Sequence, residues 1–196
     1  MFYRDNRINP IHEGTTGIQS LDLLRRKVPM NDFAGYHTFL NEMYSTAENV
    51  KATPSLQKFA NELNDALNNI KQVTTAVMNA AQTKHIDLVF SNSVSYLNML
   101  GHVTIAWLWL KQADIATKAL KADLHVENEK FYKGKIQAMK YFYASELPFT
   151  YHWGNLVTHI DSASFDTHPC LFYTSDAPDD LLPTDLCARH TVYTTH

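Results

Sequence analysis

The sequence predicts an all-α protein, an antiparallel bundle of long helices followed by an irregular C-terminal tail. Apolar residues recur every three or four positions over several long stretches, the spacing of one face of a helix. No strand-like alternation of apolar and polar residues occurs before residue 165. Glycine and proline are scarce, at six and seven residues of 196, which is few for a loop-rich or all-β protein.

The first two predicted helices are separated by a proline. A short apolar stripe runs over 18–28, and Pro29 ends it because proline cannot continue a helix without losing a hydrogen bond. A second stripe runs over 33–50. We therefore expect a short helix, a break and a longer helix at the start of the chain.

A third helix is predicted over 54–83. Thr53 followed by Pro54 is a typical start, with a capping threonine before a proline in the first turn. Further helices are predicted over about 128–147 and again after Pro148, where the apolar stripe resumes.

A fourth helix, predicted over about 87–122, has the broadest apolar surface and is expected to be central. Its stretch 88–110 lacks Asp, Glu, Lys and Arg, so its length alone would allow a membrane span. The many polar residues in the stretch favour a buried helix of a bundle instead. Gly101 is predicted to let a neighbouring element approach closely. The polar residues are Ser91, Asn92, Ser93, Ser95, Asn98, His102 and Thr104.

Charge and cysteine content exclude several functions. The net charge is −3 and the pI about 6.3, so the chain offers no basic field for nucleic acid. Cys170 and Cys187 show no CxxC spacing, which favours a reducing, cytoplasmic location. The ten histidines have no spacing typical of metal ligands, so no metal site is predicted.

The stretch IHEGTTGIQ, residues 11–19, places turn chemistry directly before the first helix. In one interpretation, Thr15 or Thr16 caps that helix and Glu13 lies near its positive end. In the other, the two glycines let the backbone approach a ligand and the helix N-terminus binds a polar group. Glu13 would then act as a general base in an apolar pocket. Spacing alone leaves both interpretations open.

Three stretches resemble the acyl-CoA dehydrogenase family. YRDNRINPIHEGTTGIQSLDLLRRKV, residues 3–28, is similar to the end of the family's catalytic domain. SYLNMLGHVTIAWLWLKQA (95–113) and FYKGKIQAMKYFYASELP (131–148) resemble the helical C-terminal extension of one branch, which includes enzymes acting on 3-methylthiopropanoyl-CoA. Together the resemblance covers about residues 2–160.

The resemblance implies a role for each residue of the turn. Glu13 is implied as the catalytic base that takes the α-proton of an acyl-CoA, and Thr15, Thr16 and Gly17 are implied to bind FAD. Gly17 stands where the short-, medium- and long-chain enzymes carry glutamine, which removes one flavin contact but suits the extended branch.

Substrate-binding roles are implied for His12 and Gly14. His12 stands where many relatives have tyrosine beside the acyl thioester, so the substrate preference does not follow from the resemblance.

The resemblance also divides the chain and names its partners. Residues 1–29 would end the catalytic helical domain, 30–160 would form the C-terminal extension, and 161–196 would be a disordered or foreign tail. The tail's run CLFYTSDAPDDLLPTDLCARH resembles the translation of a sequencing adapter, the alternative being a native acidic tail.

The family's N-terminal helical and middle β-domains have no counterpart here, so we expect a fragment that is inactive alone. The intact enzyme would bind FAD and an acyl-CoA, pass electrons to an electron-transfer flavoprotein and form a homo-oligomer. The other hypothesis is a non-catalytic helical module for interaction or oligomerisation.

Overall fold

The computed structural model describes Arg4 and residues 15–83, 86–122 and 126–160, without the side chains of 126–128. The chain divides into two compact units, Met1–Ile160 and Asp161–His196, and every described residue belongs to the first. The described residues form helices and no strand, which confirms the all-α prediction. None of the described helices is long and apolar enough to cross a membrane.

Seven α-helices and one π-helical segment make up the described unit, and their bounds follow the predicted apolar stripes. In chain order they are α1 Thr16–Leu21, the π-helical segment Asp22–Lys27, α2 Met30–Lys51, α3 Gln57–Thr83, α4 Ile86–Val89, α5 Ser93–Lys121, α6 Val126–Ser145 and α7 Phe149–Thr158.

Helix α5 lies at the centre of the unit, as its apolar composition predicts. It packs against α1, the π-helical segment, α2, α3, α6 and α7. Its inward side chains are fully or almost fully buried, and burying such apolar surface supplies most of the free energy that holds helices together. The largest of the fully buried ones are Tyr96, Met99 and Leu110.

The prediction of one continuous helix over 87–122 is wrong at its start, because residues 90–92 form a turn that separates α4 from α5. The break falls on the polar run Ser91-Asn92-Ser93. The Ser91 hydroxyl donates to the carbonyl of Leu88, at 2.8 Å, and such local side-chain bonds compete with the helix. The Asn92 amide donates to the carbonyl of Leu156, at 3.0 Å, and so ties the break to the last turns of α7.

The start of α3 also differs from the prediction, since the helix begins at Gln57 and not at Pro54. The N–H of Leu56 donates to the carbonyl of Thr53, at 2.9 Å, which forms a turn around the proline before the helix starts. Pro148 does precede a new helix, α7, as predicted.

A left-handed turn separates the first helical segment from the regular part of α2. Asn31, Asp32 and Phe33 have φ values of 51°, 53° and 63°. Asparagine and aspartate tolerate this region, whereas a bulky phenylalanine there is strained. The helical path is thus kinked just after Pro29, where the sequence predicts a break.

The hydroxyl of Thr74 joins three helices in the core. It donates to the carbonyl of Ile70, at 2.8 Å, within α3. It therefore accepts from both Tyr36 of α2, at 3.1 Å, and Tyr96 of α5, at 2.7 Å, because a hydroxyl carries one proton and two lone pairs. All three side chains are buried, and the node satisfies each of their hydroxyls.

Tyr143 fixes α6 to the central helix in a similar way. Its buried hydroxyl donates to the carbonyl of Ala106 in α5, at 3.1 Å. Burial raises the pKa of Tyr143 well above its usual value, with a smaller contribution from the charge of Glu62.

Among the described residues, the glycine that allows a close approach is Gly154 and not Gly101, so the prediction for Gly101 is wrong. A Cβ at Gly101 would meet no described atom within 4 Å. A Cβ at Gly154, where α7 crosses α3, would lie 3.1 Å from both Asn69 Nδ2 and Val73 Cγ2. Only a residue without a side chain allows the two helices this separation.

We predict that Gly154→Ala lowers the free energy of unfolding by about 1–3 kcal/mol, because the added methyl group overpacks a filled contact. Gly101→Ala is the matched control and should raise that free energy by about 0.5–1 kcal/mol, since alanine is the better helix former. Urea denaturation of both variants measures the difference, and equal effects of the two substitutions would contradict the contact at Gly154.

Stability should fall at alkaline pH through the buried tyrosines. Because the folded-state pKa of Tyr143 lies above its unfolded value of about 10, its contribution is complete below pH 10 and is lost as the pH rises toward the folded-state pKa. Above pH 10, the free energy of unfolding should therefore decline less steeply in Tyr143→Phe than in wild type, by about 1.4 kcal/mol per pH unit. Urea denaturation between pH 8 and pH 11.5 tests this. The exposed Tyr141→Phe is the control, and it should leave the decline unchanged.

Candidate functional site

The structure describes only part of the predicted site. Thr15, Thr16 and Gly17 are described, and all three are exposed. His12, Glu13 and Gly14 lie outside the described residues. The described part of the site is therefore the start of α1, together with the contacts that hold that helix in place.

The two threonines do not cap α1 with their side chains. Thr15 is the residue before the helix, and its side chain makes no capping hydrogen bond. Its backbone carbonyl accepts from the N–H of Gln19, at 2.8 Å, which starts the helix. Thr16 is already the first residue of the helix. Thr15 thus occupies the predicted N-cap position, but the interpretation that its hydroxyl caps the helix is wrong.

Gly17 stands at an open surface, where a Cβ would meet nothing within 4 Å of the described residues. Two exposed hydroxyls and this glycine backbone form a donor set that fits one edge of a flavin ring, which presents hydrogen-bonding oxygens and nitrogens. The fit concerns that edge alone, since the other parts of such a site would come from elsewhere.

The inward side of α1 is held by two serines, Ser20 and Ser93, which we call the serine pair. Their hydroxyl oxygens lie 2.9 Å apart, and both residues are buried. The Ser20 hydroxyl donates to the carbonyl of Gly17, at 2.8 Å. Because Ser20 has one hydroxyl proton, the hydroxyl of Ser93 is the donor between the two serines.

Apolar contacts continue this docking along the π-helical segment. Leu24 is fully buried and Val28 almost so. The N–H of Val28 donates to the carbonyl of Leu23, five residues back, at 2.9 Å, which is the bond of a π-helix. In an α-helix, residues four apart are slightly more than one turn apart, so a series with this spacing shifts around the helix. The wider π-helical turn compensates for this shift, so that Ser20, Leu24 and Val28 all face the core.

Ion pairs lie along the outer side of the same segment. Asp22 pairs with Arg26, one turn later, and with Lys27, at 3.3 Å between Nζ and Oδ2. The hydrogen bond from Arg26 is the main cause that lowers the pKa of Asp22. These pairs are exposed and contribute little to stability, but they orient the guanidinium group.

The outward side of α1 is apolar and open. Ile18 is 68% exposed and Leu21 is 42% exposed. With Asp22, Arg25 and Arg26 they line a shallow depression of about 520 Å³. Large apolar side chains at such exposure are typical of surfaces that contact other protein.

Comparison with known proteins identifies the domain that supports this site. Residues 39–168 match the model of the family described as "Acetyl-CoA dehydrogenase C-terminal like". The chain belongs to this family. The match begins within α2 and includes α3 to α7, so the acetyl-CoA dehydrogenase C-terminal-like domain is the part of the structure on which α1 and the π-helical segment dock.

Two curated relatives are acyl-CoA dehydrogenases, which confirms the resemblance found in the sequence. One is a broad-specificity linear acyl-CoA dehydrogenase of Mycobacterium tuberculosis, 28% identical over 152 residues, or 75% of this chain and 25% of the relative. The other is the 3-methylmercaptopropionyl-CoA dehydrogenase of Ruegeria pomeroyi, 31% identical over 124 residues, or 63% of this chain and 20% of the relative. The chain thus spans about a quarter of the length of the first relative and about a fifth of the length of the second.

The family match begins at residue 39, after the site residues. It therefore supports the domain, and the roles of the site residues stay predictions. The division at residues 29 and 160 is likewise a prediction, and the match runs eight residues past 160. Sequence reasoning missed the serine pair. The only sequence signal is that Ser20 shares a helix face with Leu24.

We predict that the two serines of the pair are energetically coupled. Ser20→Ala and Ser93→Ala should each lower the free energy of unfolding by about 1–2 kcal/mol, because each leaves a buried partner without its bond. The double variant should lose about 0.5–1.5 kcal/mol less than the sum of the two losses. Urea denaturation of the four proteins gives this coupling, and strictly additive losses would contradict the hydrogen bond.

Proposed function

We propose that this chain is part of an FAD-dependent acyl-CoA dehydrogenase, to which it supplies the catalytic carboxylate and the C-terminal helical domain. One observation carries the proposal. The EGTTG sequence leads directly into a helix that docks on a domain of the acetyl-CoA dehydrogenase C-terminal-like family. Thr15, Thr16 and Gly17 are exposed in the described part of the chain, which supports a role for them in contacting a cofactor.

In the proposed reaction Glu13 removes the α-proton of an acyl-CoA thioester. A carboxylate is an adequate base for this proton only where water is excluded and an apolar surrounding raises its pKa. FAD, when bound, supplies the acceptor for the hydride that leaves the β-carbon. The hydroxyls of Thr15 and Thr16 would donate hydrogen bonds to it, and Gly17 would let the backbone come close.

The acyl group would lie beside His12 and Gly14. The names of both relatives refer to acyl-CoA substrates, which supports a thioester substrate of this class for the whole enzyme. His12 replaces the tyrosine of many family members, so it is the position at which we expect the acyl preference to be set. Its imidazole is smaller than a phenol and offers a hydrogen bond.

The whole enzyme would require partners that this chain does not provide alone. Electrons would leave through an electron-transfer flavoprotein, and the whole enzyme would be a cytoplasmic homo-oligomer. Because the chain spans about a quarter and a fifth of the two relatives, we expect it to bind no FAD tightly and to oxidise no acyl-CoA by itself.

A second candidate function, a non-catalytic interaction module, is favoured by one surface of α5. Ile105, Leu108 and Ile115 are 42%, 44% and 62% exposed, and their spacing of three and seven residues places them on one stripe. A stable dimer of the chain in sedimentation, dissociated by Leu108→Glu, would favour this candidate. A monomer that restores activity when joined to a dehydrogenase would favour the enzyme.

We predict that Glu13→Gln abolishes turnover while flavin stays bound. The variant is made in a chimera that joins this chain to the preceding part of the Ruegeria pomeroyi relative. Gln keeps the size of Glu but cannot accept the proton, so flavin bleaching by acyl-CoA should slow by at least ~10²-fold. Glu13→Asp should be slowed less, because it only displaces the carboxylate.

The control for Glu13 is Glu42→Gln, on an exposed position of α2, which should bleach at the wild-type rate. Flavin content is measured separately by absorbance. A Glu13→Gln chimera that bleaches as fast as wild type would exclude Glu13 as the base and leave its turn without a catalytic role.

A further inference from the structure

We propose that Ser93, a residue of the C-terminal domain, is a positioning residue for the turn at Thr15–Gly17 and acts on it through Ser20. The inference rests on the proposed function of that turn in flavin binding. It assigns to the C-terminal domain a direct part in the geometry of the active site, beyond serving as a scaffold.

The first step is a continuous path of hydrogen bonds. The Ser93 hydroxyl donates to Ser20 Oγ, at 2.9 Å, and Ser20 Oγ donates to the carbonyl of Gly17, at 2.8 Å. Gly17 itself is one of the three residues proposed to face the flavin. Two bonds therefore separate the turn from the first residue of α5.

The second step is the rigidity of the support behind Ser93. Its backbone N–H donates to the carbonyl of Phe90, at 3.0 Å, and Phe90 is buried. The neighbouring Asn92 donates to the carbonyl of Leu156 in α7, at 3.0 Å. The backbone of Ser93 is thus held by the bond to Phe90, and its neighbour Asn92 is held by a third helix, so the Ser93 hydroxyl projects from a fixed backbone.

The third step is that α1 depends on such support. A helix of six residues is too short to persist alone, because its nucleation costs more than its few bonds return. Its outer side chains, Ile18 and Leu21, are exposed. Among the described residues, the inward contacts of Ser20 and of Leu24 one turn later supply the main support of the segment.

The serine pair adds what apolar contacts cannot, which is a fixed rotation of the helix. The buried Leu24 side chain packs without directional preference, whereas a hydrogen bond weakens steeply when its angle changes. Displacing a group in an active site by about 1 Å can lower the reaction rate ~10²-fold. A directional contact one turn from Gly17 is therefore placed to set the position of the flavin-side turn.

Hydrogen exchange of the 196-residue chain tests the proposal without any cofactor. In Ser93→Ala the amides of 16–21 should exchange about 5- to 10-fold faster than in wild type, while those of α3 and the centre of α5 stay unchanged. Ser91→Ala, two residues away at an exposed position, removes only a local bond to Leu88 and should leave 16–21 unchanged.

The second arm measures flavin reduction by acyl-CoA in the chimera with the Ruegeria pomeroyi relative. Ser93→Ala should slow this step about 10-fold with the flavin content of Ser91→Ala, while its thermal midpoint falls by a few degrees because a buried hydrogen bond is lost. A residue with a purely structural role would show the same fall in the thermal midpoint and leave the reduction rate of the folded enzyme unchanged.

Unchanged exchange over 16–21 in Ser93→Ala, or equal acceleration across all helices, would overturn the proposal. So would a wild-type rate of flavin reduction in an active Ser93→Ala chimera. A wild-type chimera without activity would contradict the proposed function alone, and the exchange over 16–21 would then decide whether Ser93 positions the turn.

Discussion

Burial of α5 is the constraint on which the rest of the structure depends. Its first half carries no charged side chain, so neighbours must cover it, and six of the other helical segments do so. Two polar contacts fix how they pack: the Thr74 hydroxyl orients α2 and α3 against Tyr96, and Tyr143 holds α6 at the carbonyl of Ala106. Removing one partner of either contact leaves a buried polar group unpaired, which makes these contacts specific as well as stabilising.

The same helix connects the family domain to the candidate site. Its first residue, Ser93, bonds Ser20, and the fully buried Leu24 extends the docking along the π-helical segment. The segment 16–28 is therefore packed on the domain through the serine pair and through the buried Leu24 and Val28. An exposed turn on a rigid support is the arrangement that a cofactor-binding site requires, because loops alone position groups poorly.

The sequence predicted the helices better than their contacts. Periodicity located α3, α6 and α7 to within a few residues, since burial of one face imposes it. Periodicity missed the break at 90–92, where Ser91 bonds locally and Asn92 bonds to another helix. The sequence also pointed to Gly101 instead of Gly154, because it does not show which helices come close to each other. The serine pair joins residues 73 apart and leaves no local pattern. The role of Glu13 came from resemblance alone and stays a prediction.

A disulfide cross-link tests the docking of α1 on α5 most directly. Ser20 and Ser93 are both changed to Cys in a chain whose Cys170 and Cys187 are replaced by Ser. Their hydroxyl oxygens lie 2.9 Å apart, so sulfur atoms at these positions are close to the ~2.05 Å of an S–S bond. Mild oxidation should give one intramolecular disulfide, detected by mass and by faster migration without reductant. The pair Ser20→Cys and Ser91→Cys should remain reduced, and failure of the 20–93 pair to cross-link, or equal cross-linking of both pairs, would contradict the docking.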